Sequence, residues 1–206
     1  MQQRTLGMLE FWFDFGSNYS YLSVMRIGDL ARSAGVDVQW RPFLLGPIFK
    51  SFGWETSPFV LQKEKGEYVW QDMVRECRKY GIPWQRPSVF PRHSLLPLRI
   101  AVHGADQPWM EQFCERVMLR NFAADHDINA ESSMAVVLDG LGLDASAIIE
   151  VAGSTENKLR LRERTGQAKA RGIFGAPTFF VGDDMFWGND RLDDALALAR
   201  QRFPCA

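Results

Sequence analysis

The chain has 206 residues, 46% of them hydrophobic, and a formal net charge of -1 at pH 7. That share of apolar side chains excludes global disorder, and the length reads as one domain with room for a substantial insertion. The near-zero charge leaves no electrostatic footprint for nucleic acid or an anionic membrane surface, so neither is expected as a partner.

No apolar run reaches the roughly 18 residues that a membrane helix needs. Met1-Gln2-Gln3-Arg4 leads into a strand pattern and lacks the features of a signal peptide. The aromatic run Leu9 to Phe15 is short and reads as a strand, stopped by Gly16. Ser17-Asn18-Tyr19-Ser20 follows, and a helical pattern runs from Tyr21 to Ala34 with Gly35 as its C-cap. Val36 to Trp40 alternates as a second strand, which makes a β-α-β unit and a parallel pair.

From about Pro58 to Arg171 strand signals are scarce. Asp106 to Phe122 reads as a helix, with Trp109, Met110, Phe113, Val117 and Phe122 near one face. Thr155 to Arg171 reads as a long helix closed by Lys169, Arg171 and Gly172. Pro83, Pro87 and Pro91 mark an extended loop between the helical stretches. The end returns to β structure: Thr178 to Val181, a turn at Gly182-Asp183-Asp184, and Met185 to Trp187. A last helix begins at Gly188-Asn189-Asp190. The order is therefore β-α-β, a helical block, then β-β-α.

The three cysteines, Cys77, Cys114 and Cys205, are far apart, with no Cys-x-x-Cys and no metal-ligand spacing. This scatter fits a reducing compartment, so a cytoplasmic protein without disulfides and without a metal site is expected. Three loops stand out: Gly16 to Ser20, Gly175 to Thr178, and Trp187 to Asp190. On the residues alone, Ser17 is an N-cap, Pro177 a turn residue before a strand, and Asn189 and Asp190 N-caps of the final helix. Ser17 as a covalent nucleophile would need an activating base, and the only histidines, His93, His103 and His126, fall in the helical block.

The order β-α-β then β-β-α resembles the thioredoxin fold, with Ser17 and Ser20 standing where that family has its Cys-x-x-Cys. The long helical insertion resembles the DsbA branch. "FDFGSNYSYL", "RPFLLGPIFK", "GIFGAPTFFV" and "FWGNDRL" more closely resemble kappa-class glutathione transferases and 2-hydroxychromene-2-carboxylate isomerases, over about Leu9 to Ala199. The resemblance implies a discontinuous thioredoxin-like domain, 1-57 and 172-206, with a helical insertion domain at 58-171. It implies glutathione as cofactor, a small aromatic or electrophilic substrate, and a homodimer.

It also implies roles. Ser17 would donate a hydrogen bond to glutathione's thiolate beside the positive end of a helix. Pro177 would be cis, letting the backbone of Ala176 pair with the cysteinyl unit. Gly188, Asn189 and Asp190 would receive the γ-glutamyl end, Asp190 facing its ammonium. Lys50 would meet an acidic substrate, and Trp54, where relatives carry Asn, would supply an aromatic wall. Lys63 or Lys65 would lie near the glycine carboxylate. Trp70, Trp84, Phe90 and Trp109 are candidates for an apolar roof, with core packing as their alternative. Isomerase and transferase readings stay open, as does a binding module that kept the fold without activity. A disulfide oxidoreductase fails at the motif, since two serines leave no dithiol.

Overall fold

Strand β1 (Gly7–Phe13) is the spine of the computed structural model, which describes residues 7–202. Cys205 lies outside the described residues. β1 feeds helix α1 (Asn18–Ala34), which crosses over to β2 (Val36–Pro42), and the two strands pair in parallel. Near the C-terminus β3 (Thr178–Val181) and β4 (Asp184–Trp187) form a hairpin that adds antiparallel to the other edge of β1. The strand order is β2-β1-β3-β4. The hairpin turn is Gly182-Asp183, with Gly182 at φ 63, so Asp184 belongs to the strand and not to the turn.

Alternation along β1 sorts its side chains between two cores. Leu9, Phe11 and Phe13 are fully buried in the larger one, which runs from the sheet through α1 into the helical block. Trp12 faces a smaller one with Phe43, Ile48, Ala168, Ile173 and Phe180. β1 stops before the apolar run does, because Asp14 turns the chain. Its carbonyl accepts the Ser17 N–H at 3.0 Å and its carboxylate accepts the Gly16 N–H at 2.8 Å. α1 begins three residues before its apolar pattern, since Ser17 caps it and the polar residues Asn18, Ser20 and Ser23 are buried on it.

The helices between β2 and β3 are α2 (Leu45–Ser51), α3 (Pro58–Leu61), α4 (Lys63–Tyr80), α5 (Leu95–His103), α6 (Met110–Phe122), α7 (Glu131–Asp139), α8 (Ala145–Gly153) and α9 (Thr155–Ala170). Residues 82–94 carry neither helix nor strand. α6 starts at Met110, later than the expected Asp106, because residues 106–109 form a turn. There Trp109 lies against Gly104, where a β-carbon would fall 2.0 Å from the indole. The chain closes with a 3-10 turn (Asn189–Arg191) and α10 (Leu192–Arg202). Among the described residues no helix is long and apolar enough to cross a membrane.

Candidate functional site at the head of α1

Because β3 runs opposite to β1, the start of β3 lies beside the end of β1, with Thr178 opposite Trp12. This pairing delivers the 175–177 loop to the elbow between β1 and α1. The Ala176–Pro177 bond is cis. Ser17 donates its hydroxyl proton to the Ala176 carbonyl at 3.0 Å and accepts the Ser20 N–H at 3.2 Å. It is thus an N-cap and a bridge between two loops at once. Gly188 donates its N–H to the Pro177 carbonyl at 3.0 Å, bringing in the third loop. Ser17, Ala176, Pro177 and Gly188 therefore come together.

The head of α1 is rich in free donors. The backbone N–H groups of Asn18 and Tyr19 have no partner among the described residues, as expected at a helix start. The side-chain Nδ2 of Asn18 and Oγ of Ser20 are also buried without a partner. Such a cluster, with the helix dipole behind it, favours an anion. Ser17 itself has no base to activate it, since its proton is directed at a carbonyl.

Asn189 departs from its expected role. It is 3% exposed, and its Oδ1 accepts hydrogen bonds from Ser23 at 3.2 Å and Arg26 at 3.0 Å, both on α1. Its amide therefore caps nothing; Gly188 takes the capping position of the 3-10 turn with no side-chain bond. What Asn189 can offer a ligand is its backbone. Asp190 is exposed, 3.5 Å from Arg191 Nε, and its carboxylate lies over Gly188. A β-carbon there would meet Asp190 Oδ1 at 2.4 Å, and φ 108 also demands glycine. Arg26 fastens this loop: it bonds Asn189, pairs with Asp193 at 2.9 Å and lies 3.9 Å from the centre of the Tyr80 ring. Arg26→Ala is expected to cost about 1–3 kcal/mol, read as a lower urea midpoint at unchanged slope.

Lys50 and Trp54 form a separate patch. Lys50 is exposed in the last turn of α2 and makes no ion pair among the described residues. Trp54 is 39% exposed beside Phe49 and Phe52, at ring distances of 5.8 and 5.9 Å. No hydrogen bond joins this patch to Ser17 directly. The connection runs through Asp14, whose Oδ2 accepts the Leu45 N–H at 2.8 Å. Sequence reasoning passed over Asp14. Its signal was an acidic residue inside an aromatic run, a residue type rarely buried without a reason.

Of the four roof candidates, Trp70 and Phe90 line a cavity of about 350 Å³ with Phe59, Lys63 and Arg86. Trp84 and Trp109 are half-buried and pack against the core, Trp84 stacked on Phe122 and Trp109 edge-on against Phe113. Lys63 therefore lines a cavity, while Lys65 lies 5.8 Å from the centre of the Phe59 ring. Cys77 and Cys114 are buried, and burial pushes the Cys77 thiol up to about 12 and Cys114 well above its usual value. Neither is a poised thiolate. Among the described residues no cluster of three or more His, Cys, Asp or Glu could hold a metal ion.

Comparison with known proteins fits this geometry. The family described as DSBA-like thioredoxin domain matches residues 8–198. A 2-hydroxychromene-2-carboxylate isomerase from Sphingobium xenophagum is 33% identical over 188 residues, covering 90% of this chain and 94% of the relative. Glutathione S-transferase kappa 2 from Caenorhabditis elegans is 28% identical over 200 residues, covering 90% of this chain and 88% of the relative. The solved structure of a 2-hydroxychromene-2-carboxylate isomerase superposes with a TM-score of 0.85 at 30% identity, over 95% of this chain and 97% of that one. A sheet delivering a serine-capped helix to a cis-proline loop, matched along nearly its whole length, places the chain in the DsbA-like thioredoxin-fold family, in the branch of the 2-hydroxychromene-2-carboxylate isomerases and kappa-class glutathione transferases.

Proposed function

We propose that the chain is a glutathione-dependent isomerase acting on an aromatic acid of the 2-hydroxychromene-2-carboxylate type. The observation that carries this reading is the Ser17 hydroxyl bonded across to Ala176 at the donor-rich head of α1, with serine at both Ser17 and Ser20. A site with that shape and no sulfur of its own suits a thiolate brought by a ligand. Bound glutathione would exchange partners with the protein. The Ser17 proton turns from the Ala176 carbonyl to the sulfur, and the freed carbonyl accepts the cysteinyl N–H as an added strand would. The Asn18 and Tyr19 N–H groups and the dipole of α1 hold the charge. Asp190 pairs with the γ-glutamyl ammonium.

The thiolate then adds to the activated double bond of the substrate; the ring opens, a bond rotates, and the thiol leaves. Glutathione is regenerated. Lys50 faces the substrate carboxylate and Trp54 its ring. A transferase that releases the adduct as product would use the same sulfur side, and the kappa-class relative supports keeping it as the second reading. We read residues 58–171 as an insertion domain, the assembly as a homodimer and the location as cytoplasmic.

The direct test is the ultraviolet absorbance of thiolate on mixing with glutathione. Bound glutathione is expected to titrate at least about one unit below the ~8.5 of a free thiol. Titration at the free value, or absence of binding, overturns the reading.

A further inference from the structure

Asp14 is 5% exposed and makes no ion pair with Lys, Arg or His among the described residues. Burying a carboxylate without a counter-charge is costly, so what it bonds matters. Three donors reach it from three segments: Gly16 N–H at 2.8 Å from the elbow, Ser94 Oγ at 2.6 Å from the head of α5, and Leu45 N–H at 2.8 Å from the first residue of α2. Burial pushes its pKa up, and these hydrogen bonds oppose the shift.

The Leu45 contact is the telling one. Leu44, the capping position of α2, offers no side-chain bond, so Asp14 caps this helix from another segment. α2 is only seven residues long. Its last turn carries Lys50, and the Trp54 N–H bonds back to Phe49 at 3.0 Å. One carboxylate therefore holds the elbow that presents Ser17 and the short helix that presents Lys50 and Trp54.

We propose that Asp14 is a positioning residue that sets the span between the sulfur side of the site at Ser17 and the electrophile side at Lys50 and Trp54. This rests on the roles given to those residues above. Asp14 touches neither reactant; it acts on the second substrate through α2 and leaves glutathione's own contacts in place.

Two variants test it from opposite ends of one hydrogen bond. In Asp14→Asn the amide oxygen can still serve Gly16 and Ser94, which share Oδ1, and the NH2 then meets the Leu45 N–H donor to donor. Leu45→Pro removes that N–H and leaves Asp14 intact. Proline is tolerated at the first helical position, and Leu44, at φ -87 and ψ 116, already has the extended backbone that precedes proline. Both variants are expected to raise KM for 2-hydroxychromene-2-carboxylate about tenfold, while the Kd for glutathione stays within about threefold of wild type. Amide exchange over residues 45–54 is expected to quicken in both, with the first turn of α1 unchanged.

Unchanged KM in both variants, or a glutathione Kd that rises in step with KM, overturns the proposal. If wild type shows no glutathione binding, the functional reading has failed on its own. The exchange measurement then still decides the role of Asp14, and unchanged exchange over 45–54 overturns it. Leu45→Pro keeps the test available where Asp14→Asn does not fold.

Discussion

Ser17→Ala is expected to lower turnover about a hundred- to a thousandfold while the Kd for glutathione rises less than about tenfold. The hydroxyl is one donor among several at the head of α1, and the Asn18 and Tyr19 N–H groups stay where they are. On the proposed function, most peptide binding would come from backbone pairing at Ala176 and from the 188–190 loop, neither of which needs the hydroxyl. What alanine removes is the hydroxyl that bridges to Ala176 and, on the proposed function, turns its proton to the sulfur. The same variant also loses the cap of α1, at about 1 kcal/mol, so a fall in activity could come from a frayed helix. Ser17→Asp separates the two effects. Aspartate caps as well as serine does, yet its carboxylate cannot donate a hydrogen bond and repels a thiolate. If Ser17 acts on the sulfur, Ser17→Asp keeps amide exchange in the first turn of α1 slow and loses turnover per folded molecule, at a lower melting temperature because its carboxylate faces the Ala176 carbonyl. Turnover retained in Ser17→Asp would reduce Ser17 to a helix cap.

Much of the fold could be read from periodicity. Val36, Val38 and Trp40 alternate with Asp37 and Gln39, and that pattern survives tertiary context because a strand has two faces. The Gly35 and Gly172 stops were legible for a similar reason, as both take positive φ, at 66 and 76. Boundaries set by side-chain hydrogen bonds were harder. Nothing in the apolar pattern says that Asp14 ends β1 or that α1 starts among polar residues, because the partners of Asp14 at Leu45 and Ser94 lie 31 and 80 residues away.

The site divides along the same line. Ser17, Ala176, Pro177 and Gly188 were found through motifs, and motifs record local backbone demands. Asn189 lies in the expected loop, but its side chain does not cap the turn. A cap is a local event, whereas its bonds to Ser23 and Arg26 depend on how the last turn lies on α1. The roof split for the same reason. Trp84 and Phe90 look alike in sequence and both pack half-buried against the core, yet only Phe90 also lines the cavity.

Phe11→Ala is expected to destabilise the protein by roughly 3–5 kcal/mol, which lowers the melting temperature by about 6–20 °C at this chain length. Phe11 is fully buried and stacks between Phe13 at 5.0 Å and Phe179 at 5.2 Å, with Trp40 edge-on at 5.4 Å. Alanine leaves a cavity that three stiff rings cannot close. Phe11→Leu keeps most of the volume and is expected to cost under about 1.5 kcal/mol. The pair Phe11–Phe179 is the rung next to Trp12–Thr178, and beyond that rung the chain enters the cis-proline loop on one strand and the elbow on the other. This separates two ways in which a sheet can serve a site. If the hydrogen-bond ladder alone sets the distance from Ser17 to Ala176, then kcat per folded molecule of Phe11→Ala, measured well below its melting temperature, stays within about threefold of wild type. If ring packing sets it, kcat falls with stability, and Phe11→Leu lies between. The ladder is the expected answer, because the register on both sides of β1 is held by backbone groups that the substitution leaves untouched.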